Sequence, residues 1–406
     1  MVAQHGTTAS ELYWDPWDYD LHADPHPTWR RMREEAPLYR NEQHDFWALT
    51  RFQDVLDAFV DTPTYSSAQG DIIELIRGGI PESARSLISE DPPKHTVHRH
   101  MLSRAFTPKA IQQIEDRVRA FARATLDERL GTDRFDFVAD FGGRIPGMVI
   151  AAMLGTPDPD LEDIRALVDA QLHLDPNDPF DRSHYNDAAQ QLGEYFLELA
   201  KERRQHPRDD MMSALVTMEI ADEDGVTRRL EDMEAVSYIK LLSSAGNETT
   251  ARFSGWAGAT LARFPEERAK LVARPDLIPN AVDEILRFEP PSMALSRVTT
   301  RAVEHYDQVV PEGSVMVLIH AATGRDQRVF TDPDRLDVER QIERHLSFGF
   351  GAHVCMGASL ARMEGRILIE EMLARFPEWD VEWDDTEIVH TGSAVRGYSK
   401  LPIVIG

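Results

Sequence analysis

Apolar positions recur at helical spacing through most of this chain and alternate only in short stretches, which predicts a mainly α-helical protein with small sheets. Pro27 to Glu35 carries helical spacing and stops before Pro37. Leu38 to Leu49 reads as a short hairpin with a polar turn. Phe52 to Phe59 reads as an amphipathic helix ended by Thr62-Pro63. From Ser66 to Glu90 the periodicity dissolves, although Ile72, Ile73, Leu75, Ile76 and Ile80 fall there beside Gly78-Gly79. Apolar residues in an irregular stretch either pack under a loop or line a ligand cavity.

Helical spacing resumes at His95 and runs to Leu130. Pro146 to Leu154 is apolar on most sides and ends at Gly155, which predicts a buried helix. Amphipathic helices are expected over about Leu161 to Leu172 and Asp187 to Arg204. Between them Leu174 to Tyr185 has the polar, proline-bearing composition of a lid or a plain surface loop. Glu231 to Phe264 reads as one helix of about 30 residues, on the order of 45–50 Å long, which must cross the whole core. Its centre holds Gly246 followed by Thr249 and Thr250, poor helix formers that predict a local distortion. Asn280 to Phe288 is a further helix, stopped by Pro290-Pro291, and strands are expected at Leu295 to Ala302 and Val315 to Ile319. The β content is therefore small, and apart from the early hairpin it is expected after residue 290.

Composition narrows what such a chain can do. Among 406 residues, 70 Asp and Glu outweigh 44 Lys and Arg, a formal charge of −26. That argues against nucleic acid as a partner, since phosphate binding needs a basic face. Hydrophobic residues at 42% suffice for a large core, yet no apolar run approaches the ~20 residues of a membrane span. The N-terminus is polar, with no basic start and no apolar stretch, so a cytoplasmic location is expected. A single cysteine, Cys355, excludes disulfides and multi-cysteine metal sites.

The surroundings of that cysteine carry the chemistry. Residues 348–357 read Phe348-Gly349-Phe350-Gly351-Ala352-His353-Val354-Cys355-Met356-Gly357, and a long helix begins directly afterwards. Three glycines let the backbone turn tightly and approach something flat. The helix start would favour a thiolate, either as nucleophile or as metal ligand. His353 is badly placed as a nucleophile's base, two residues away on a glycine-rich loop. Axial ligation of haem iron suits the loop better.

Here the sequence resembles a known family, the cytochromes P450. Phe348-x-x-Gly351-x-x-x-Cys355-x-Gly357 resembles their haem-binding loop, and three further motifs occur in the family's order. Ala245-Gly246-x-Glu248-Thr249-Thr250 resembles the oxygen-binding groove of the long central helix. Glu284-x-x-Arg287 resembles a buried ion pair, and His95-x-x-x-Arg99 after Asp91-Pro92-Pro93 resembles the helix that grips a haem propionate. The resemblance runs from about Asp15 to the C-terminus and implies a 1–14 tail before one domain over 15–406. It also implies a mainly α fold with small β-sheets (α+β), with haem between the long central helix and the cysteine-loop helix. Two departures are small: Met356 stands where Leu is frequent, and Gly324 replaces the usual Asn before Arg325-Asp326.

By this resemblance Cys355 is the axial ligand of haem b (iron protoporphyrin IX), with Phe348 packed near the sulfur. Gly349, Gly357 and Ala245 would lie against the macrocycle. His95, Arg99, Arg297 and His353 would hold the propionates, since carboxylates want charge-assisted donors. Glu284 and Arg287 share a helix face and would be buried with Arg335 as third member, in a structural role. Glu248 and Thr249 would relay protons, with Gly246 leaving room for dioxygen. The substrate pocket would be lined by Ile72, Leu75, Ile76, Leu241, Leu242, Met293, Ala294, Leu295 and Ala394, mostly apolar and without a polar anchor.

The implied activity is hydroxylation or epoxidation of a hydrophobic small molecule by a haem-thiolate monooxygenase. Terpenoids, steroids, fatty acids and small aromatics suit such a pocket. Electrons would come from a ferredoxin and ferredoxin reductase, since no flavin or iron–sulfur segment is fused. Arg99, Arg104, Arg344, Arg362 and Arg366 are candidates for a docking patch, and a monomer is expected. The alternatives are a peroxide-driven peroxygenase, disfavoured by the Glu248–Thr249 pair, and a non-catalytic haem sensor.

Overall fold

The computed structural model describes residues 12–80, 86–103, 106, 108–160, 163, 164, 166, 167, 170, 183–221 and 226–406. Elements follow in chain order as α1 (Tyr19–Ala23), α2 (His26–Glu35), β1 (Leu38–Asn41), β2 (Phe46–Leu49), α3 (Phe52–Val60), β3 (Tyr65–Ser66) and α4 (Ile73–Gly78). Next come α5 (Lys94–Ser103), α6 (Pro108–Asp127), β4 (Arg134–Asp136), α7 (Ile145–Leu154), α8 (Ser183–Gln205), α9 (Met211–Thr217), β5 (Glu219–Ala221) and β6 (Thr227–Arg229). The second half holds α10 (Asp232–Arg263), α11 (Pro265–Ala273), α12 (Ile278–Phe288), β7 (Leu295–Thr299), β8 (Val303–His305), β9 (Gln308–Val310), β10 (Val315–Leu318) and α13 (His320–Thr323). It closes with α14 (Ala358–Arg375), β11 (Trp379–Val381), β12 (Glu387–Thr391), β13 (Val395–Lys400) and β14 (Pro402–Ile405).

The largest sheet runs β1-β2-β10-β7-β3. The early hairpin pairs Leu38 with Leu49, and β10 joins β2 in parallel and β7 antiparallel. A second sheet runs β11-β14-β4, and β12-β13, β5-β6 and β8-β9 are two-stranded hairpins. Strands also lie before residue 290 outside the early hairpin, at β3, β4 and the β5-β6 hairpin. These are two or three residues long, too short for the alternation that marks a strand in sequence. No described helix is long and apolar enough to cross a membrane.

The central helix α10 spans 32 residues, begun by a reciprocal pair of bonds between Glu231 and Glu234. It is buried on every side from Phe253 through Leu261, which places it through the main core. At its centre, where the sequence predicts a local distortion, the helix runs on without a break, and the Thr249 hydroxyl donates to the Ala245 carbonyl at 2.8 Å. Such back-bonding bends a helix gently and leaves it unbroken. Gly246 has a packing role. A Cβ there would lie 2.6 Å from Ile150 Cδ1 on α7, so glycine lets that side chain pack close, which leaves the expected room for dioxygen untouched.

The loss of periodicity over Ser66 to Glu90 conceals α4, a six-residue helix with no side-chain cap. Of the expected helix at Leu161 to Leu172, only part lies within the described residues, and residues 174–182 of the expected lid lie outside them. So do residues 1–11 of the tail and Arg104.

Candidate active site

The cysteine loop hangs between α12 and α14 and is closed by local bonds. Cys355 N–H donates to the Phe348 carbonyl at 2.8 Å, and Ser347 Oγ donates to the Leu286 carbonyl at 2.7 Å. Gly351 is obligatory: its φ is +70° and a Cβ would meet the Phe59 carbonyl at 2.7 Å. Gly349, at φ +65°, needs glycine for its backbone alone. Phe348 lies under the Arg362 guanidinium, 4.6 Å from ring to cation, and Arg362 in turn pairs with Asp283 at 2.8 Å.

Cys355 is accessible by surface area, yet protein crowds its thiol. Burial pushes the thiol up, against the opposing pull of the Gly357 amide and the Arg99 and Arg362 charges. A helix start favours a thiolate, but desolvation outweighs it in the protein alone. Metal coordination deprotonates such a sulfur outright.

Four donors gather beside this loop. The rings of His95 and His353 lie 4.1 Å apart, and Arg99 donates to the Val354 carbonyl at 2.6 Å. Arg297 is 3% exposed, with the Ser296 carbonyl at 2.7 Å from Nη1. Both Nε2 atoms of His95 and His353 are buried without a hydrogen-bond partner. Burial first, then the neighbouring cations, lower both imidazoles, His353 to about 3. Buried nitrogens left unsatisfied beside two guanidinium groups are a cradle for carboxylates, and they fit the two propionates of haem. Carboxylates placed there would raise the proton affinity of both imidazoles.

The structural ion pair departs from expectation in its third member. Arg287 and Glu284 are both fully buried and bonded at 2.7 and 2.8 Å. The side chain that joins them is Arg340, whose Nε donates to Glu284 Oε1 at 3.1 Å, while Arg335 is exposed and offers only its backbone carbonyl. Arg287 also donates to the Gly324 carbonyl at 2.6 Å. A Cβ at Gly324 would fall 2.0 Å from the Arg287 carbonyl oxygen, which accounts for glycine at that position.

On α10, Ala245 is exposed and Thr249 half-buried although much of the helix around them is covered, so this face borders open space. Glu248 is 5% exposed and lies 3.8 Å from Arg252 Nη2, and Arg252 also donates to the Tyr398 carbonyl. Of the expected pocket residues, Ile72, Leu75, Ile76, Leu241, Leu295 and Ala394 are partly accessible. Leu242 is 9% exposed. Met293 and Ala294 are corrected: at 0% and 2% exposure they belong to a packed cluster with Trp14, Trp29, Phe46 and Ile73.

Two acids near that pocket escape the sequence reading. Asp71 and Glu74 are buried beside Ile72 and Ile73. Burial pushes the Asp71 carboxyl up to about 6 even with the Arg297 charge nearby. An acid within the run Ile72-Ile73-Glu74-Leu75-Ile76 is the visible signal, since charge amid apolar neighbours needs a partner. A separate hollow lined by His26, Trp256, Phe288, Glu289 and Arg396 contains none of the expected pocket residues.

The profile of the family described as Cytochrome P450 matches residues 163–395. The chain is 40% identical over 397 residues to a Mycobacterium bovis protein named as a cytochrome P450, number 123, with 97% of each chain covered. It is 35% identical over 382 residues to the erythromycin C-12 hydroxylase of Saccharopolyspora erythraea, covering 92% of this chain and 93% of that one. Among solved structures, a mutant of P450 EryK in complex with erythromycin B superposes with a TM-score of 0.85 at 32% identity, covering 95% of this chain and 97% of that one.

Proposed function

The chain belongs to the cytochrome P450 family and is a haem-dependent monooxygenase, and from that premise we propose that it oxygenates a hydrophobic small molecule with electrons from a ferredoxin and its reductase. The observation that carries the reading is the pairing of an accessible thiol on a glycine loop with four clustered donors, two of them carrying buried unpartnered nitrogens. Haem supplies the chemistry of dioxygen activation when bound. Cys355 is its ligand in this proposal, and His95, Arg99, Arg297 and His353 hold the propionates. Phe348, stacked beneath Arg362, keeps water from the sulfur.

Thr249 is the proton-handling group on the open face of α10. Its hydrogen is committed to the Ala245 carbonyl, so its oxygen is left to accept a hydrogen bond. Glu248, one residue before it and near Arg252, is the carboxylate that resupplies protons from the interior. Ile72, Leu75, Ile76, Leu241, Leu242, Leu295 and Ala394 face the substrate, and their apolar surface suits a terpenoid, steroid, fatty acid or small aromatic. One domain over 15–406, a monomeric state and a cytoplasmic location complete the reading.

A screen of these compound classes against the ferric protein tests it, followed by turnover with NADH, a surrogate ferredoxin and its reductase. The expected result is a spectral shift from displaced water for at least one class, and an oxygenated product. No shift with any class, or oxygenation driven only by added peroxide, overturns the proposal.

A further inference from the structure

We propose that Glu74 is a positioning residue that sets the shape of the substrate pocket by tying three of its walls together. The inference rests on the reading above that Ile72, Leu75, Ile76, Leu295 and Ala394 face substrate. Glu74 itself touches none in this proposal.

The helix that carries Glu74 cannot hold itself. A six-residue helix without a side-chain cap is marginal on its own, because nucleation is not repaid over so few residues. Arg77, Gly78 and Gly79 at its end are exposed. Its buried anchors are Ile73, fully buried in the cluster with Trp14 and Met293, and Glu74, 6% exposed, while exposed Arg77 donates to the His44 carbonyl.

The Glu74 carboxylate spends both oxygens on distant parts of the chain. The Trp17 indole N–H donates to Oε1 at 2.8 Å, the Ser393 N–H to Oε1 at 2.8 Å, and Ser393 Oγ to Oε2 at 2.9 Å. Bonds to an ionised acceptor are roughly twice as strong as neutral ones. The β12-β13 turn is built to receive this group. Gly392 sits at φ +56°, and a Cβ there would lie 2.6 Å from Glu74 Oε1. The turn passes the constraint onward: the Ala394 carbonyl accepts from Met293 N–H at 2.6 Å, and Ser292 bridges to Val395. One carboxylate thus links α4, the 392–395 turn and the segment leading into Leu295. Trp17 closes the circuit, since Arg77 of the same helix lies 5.8 Å over its ring.

The test uses haem-loaded full chain and a series of N-alkylimidazoles of increasing length, with dissociation constants read from the haem spectrum. Glu74→Gln keeps the volume but replaces one acceptor with a donor facing Ser393. Expected are unchanged haem content and unchanged affinity for imidazole itself, with long-chain members weakened roughly tenfold and length discrimination reduced. Ser393→Ala, which removes one of the three bonds and leaves the fold of α4 intact, should move discrimination in the same direction by less. Dissociation constants equal to the parent's at every length in both variants overturn the proposal. So does a loss of haem content and thermal midpoint with length discrimination preserved, the mark of a merely structural role. Ile72→Ala separates the two readings: if it leaves length discrimination untouched, the lining assignment fails, whatever Glu74 does.

Discussion

In the Glu284–Arg287 network and between α6 and α14 charged side chains are paired several times over, whereas the face of α10 at Ala245 and Thr249 borders open space. Arg287 has five N–H donors and makes five bonds, to Glu284 twice and to the carbonyls of Gly324, Pro333 and Arg335. Glu284 in turn takes the Asp337 amide at 2.9 Å and Arg340. From α14, Arg366 reaches Glu115 of α6, while Arg119 and Arg123 of α6 reach Glu371. On the other side, Ala245, Leu241 and Thr249 border open space, and the buried anchors of α4 are one apolar residue and one carboxylate. Local stability follows the density of such contacts. A metal ligand requires a fixed position, while a pocket that admits bulky apolar molecules requires walls that can yield.

The largest effect that would break this contrast is at the ligand itself. Cys355→Ser should abolish turnover and remove the thiolate signature from the absorption spectrum of the reduced carbon monoxide complex. A retained signature would unseat Cys355.

Next in size is Arg287→Ala, which leaves the fully buried Glu284 carboxylate with Arg340 and the Asp337 amide alone and should cost about 3–5 kcal/mol in a urea melt. Arg340→Ala leaves Glu284 with Arg287 and the Asp337 amide, so about 1–3 kcal/mol is expected. Equal losses would mean that the network acts as one unit and has no dominant pair.

Glu364 is the exception on the saturated side. It is 3% exposed on α14, its Oε2 has no hydrogen-bond partner, and burial pushes the carboxyl up to about 8. The folded chain keeps that proton to about pH 8, while an unfolded chain releases it near 4.5. Stability therefore falls as pH rises between those values, by about 1.4 kcal/mol per unit. Glu364→Gln should be more stable than the parent by about 3 kcal/mol at pH 7 and no different below pH 4.5. Parallel urea midpoints at acid and neutral pH check both halves.

The smallest effect is on the open side. Thr249→Ala should leave stability unchanged and raise peroxide released per NADH consumed several-fold, about 1 kcal/mol in partitioning. Unchanged coupling would remove Thr249 from proton handling.

Long, strongly periodic elements are legible in the order of residues alone. The helix expected at Glu231 to Phe264 is observed as Asp232–Arg263, and the hairpin at Leu38 to Leu49 has those residues as its outer pair. The clustering of His95, Arg99, Arg297 and His353 is legible only through family resemblance, because no local pattern connects positions so far apart in the chain. Short elements and partners in space are not legible. The six-residue α4 has too few turns for periodicity to register, and the resemblance points to Arg335 where Arg340, five residues further on, reaches Glu284. Met293 looks like a lining residue because it is apolar and near Leu295, but it is fully buried in the cluster that holds Trp14 and Trp29.

By itself, the sequence determined the types of the long elements and the place of the thiol on a glycine loop, because periodicity, glycine placement and a unique cysteine are local properties of the chain, while the chemistry of that loop was reached through family resemblance. Tertiary structure alone decided which charges meet, that Gly324 is required by packing, that burial raises the Cys355 thiol, and that Glu74 joins segments 319 residues apart. Those outcomes depend on desolvation and on distances between residues remote in sequence, and neither quantity exists until the chain has folded.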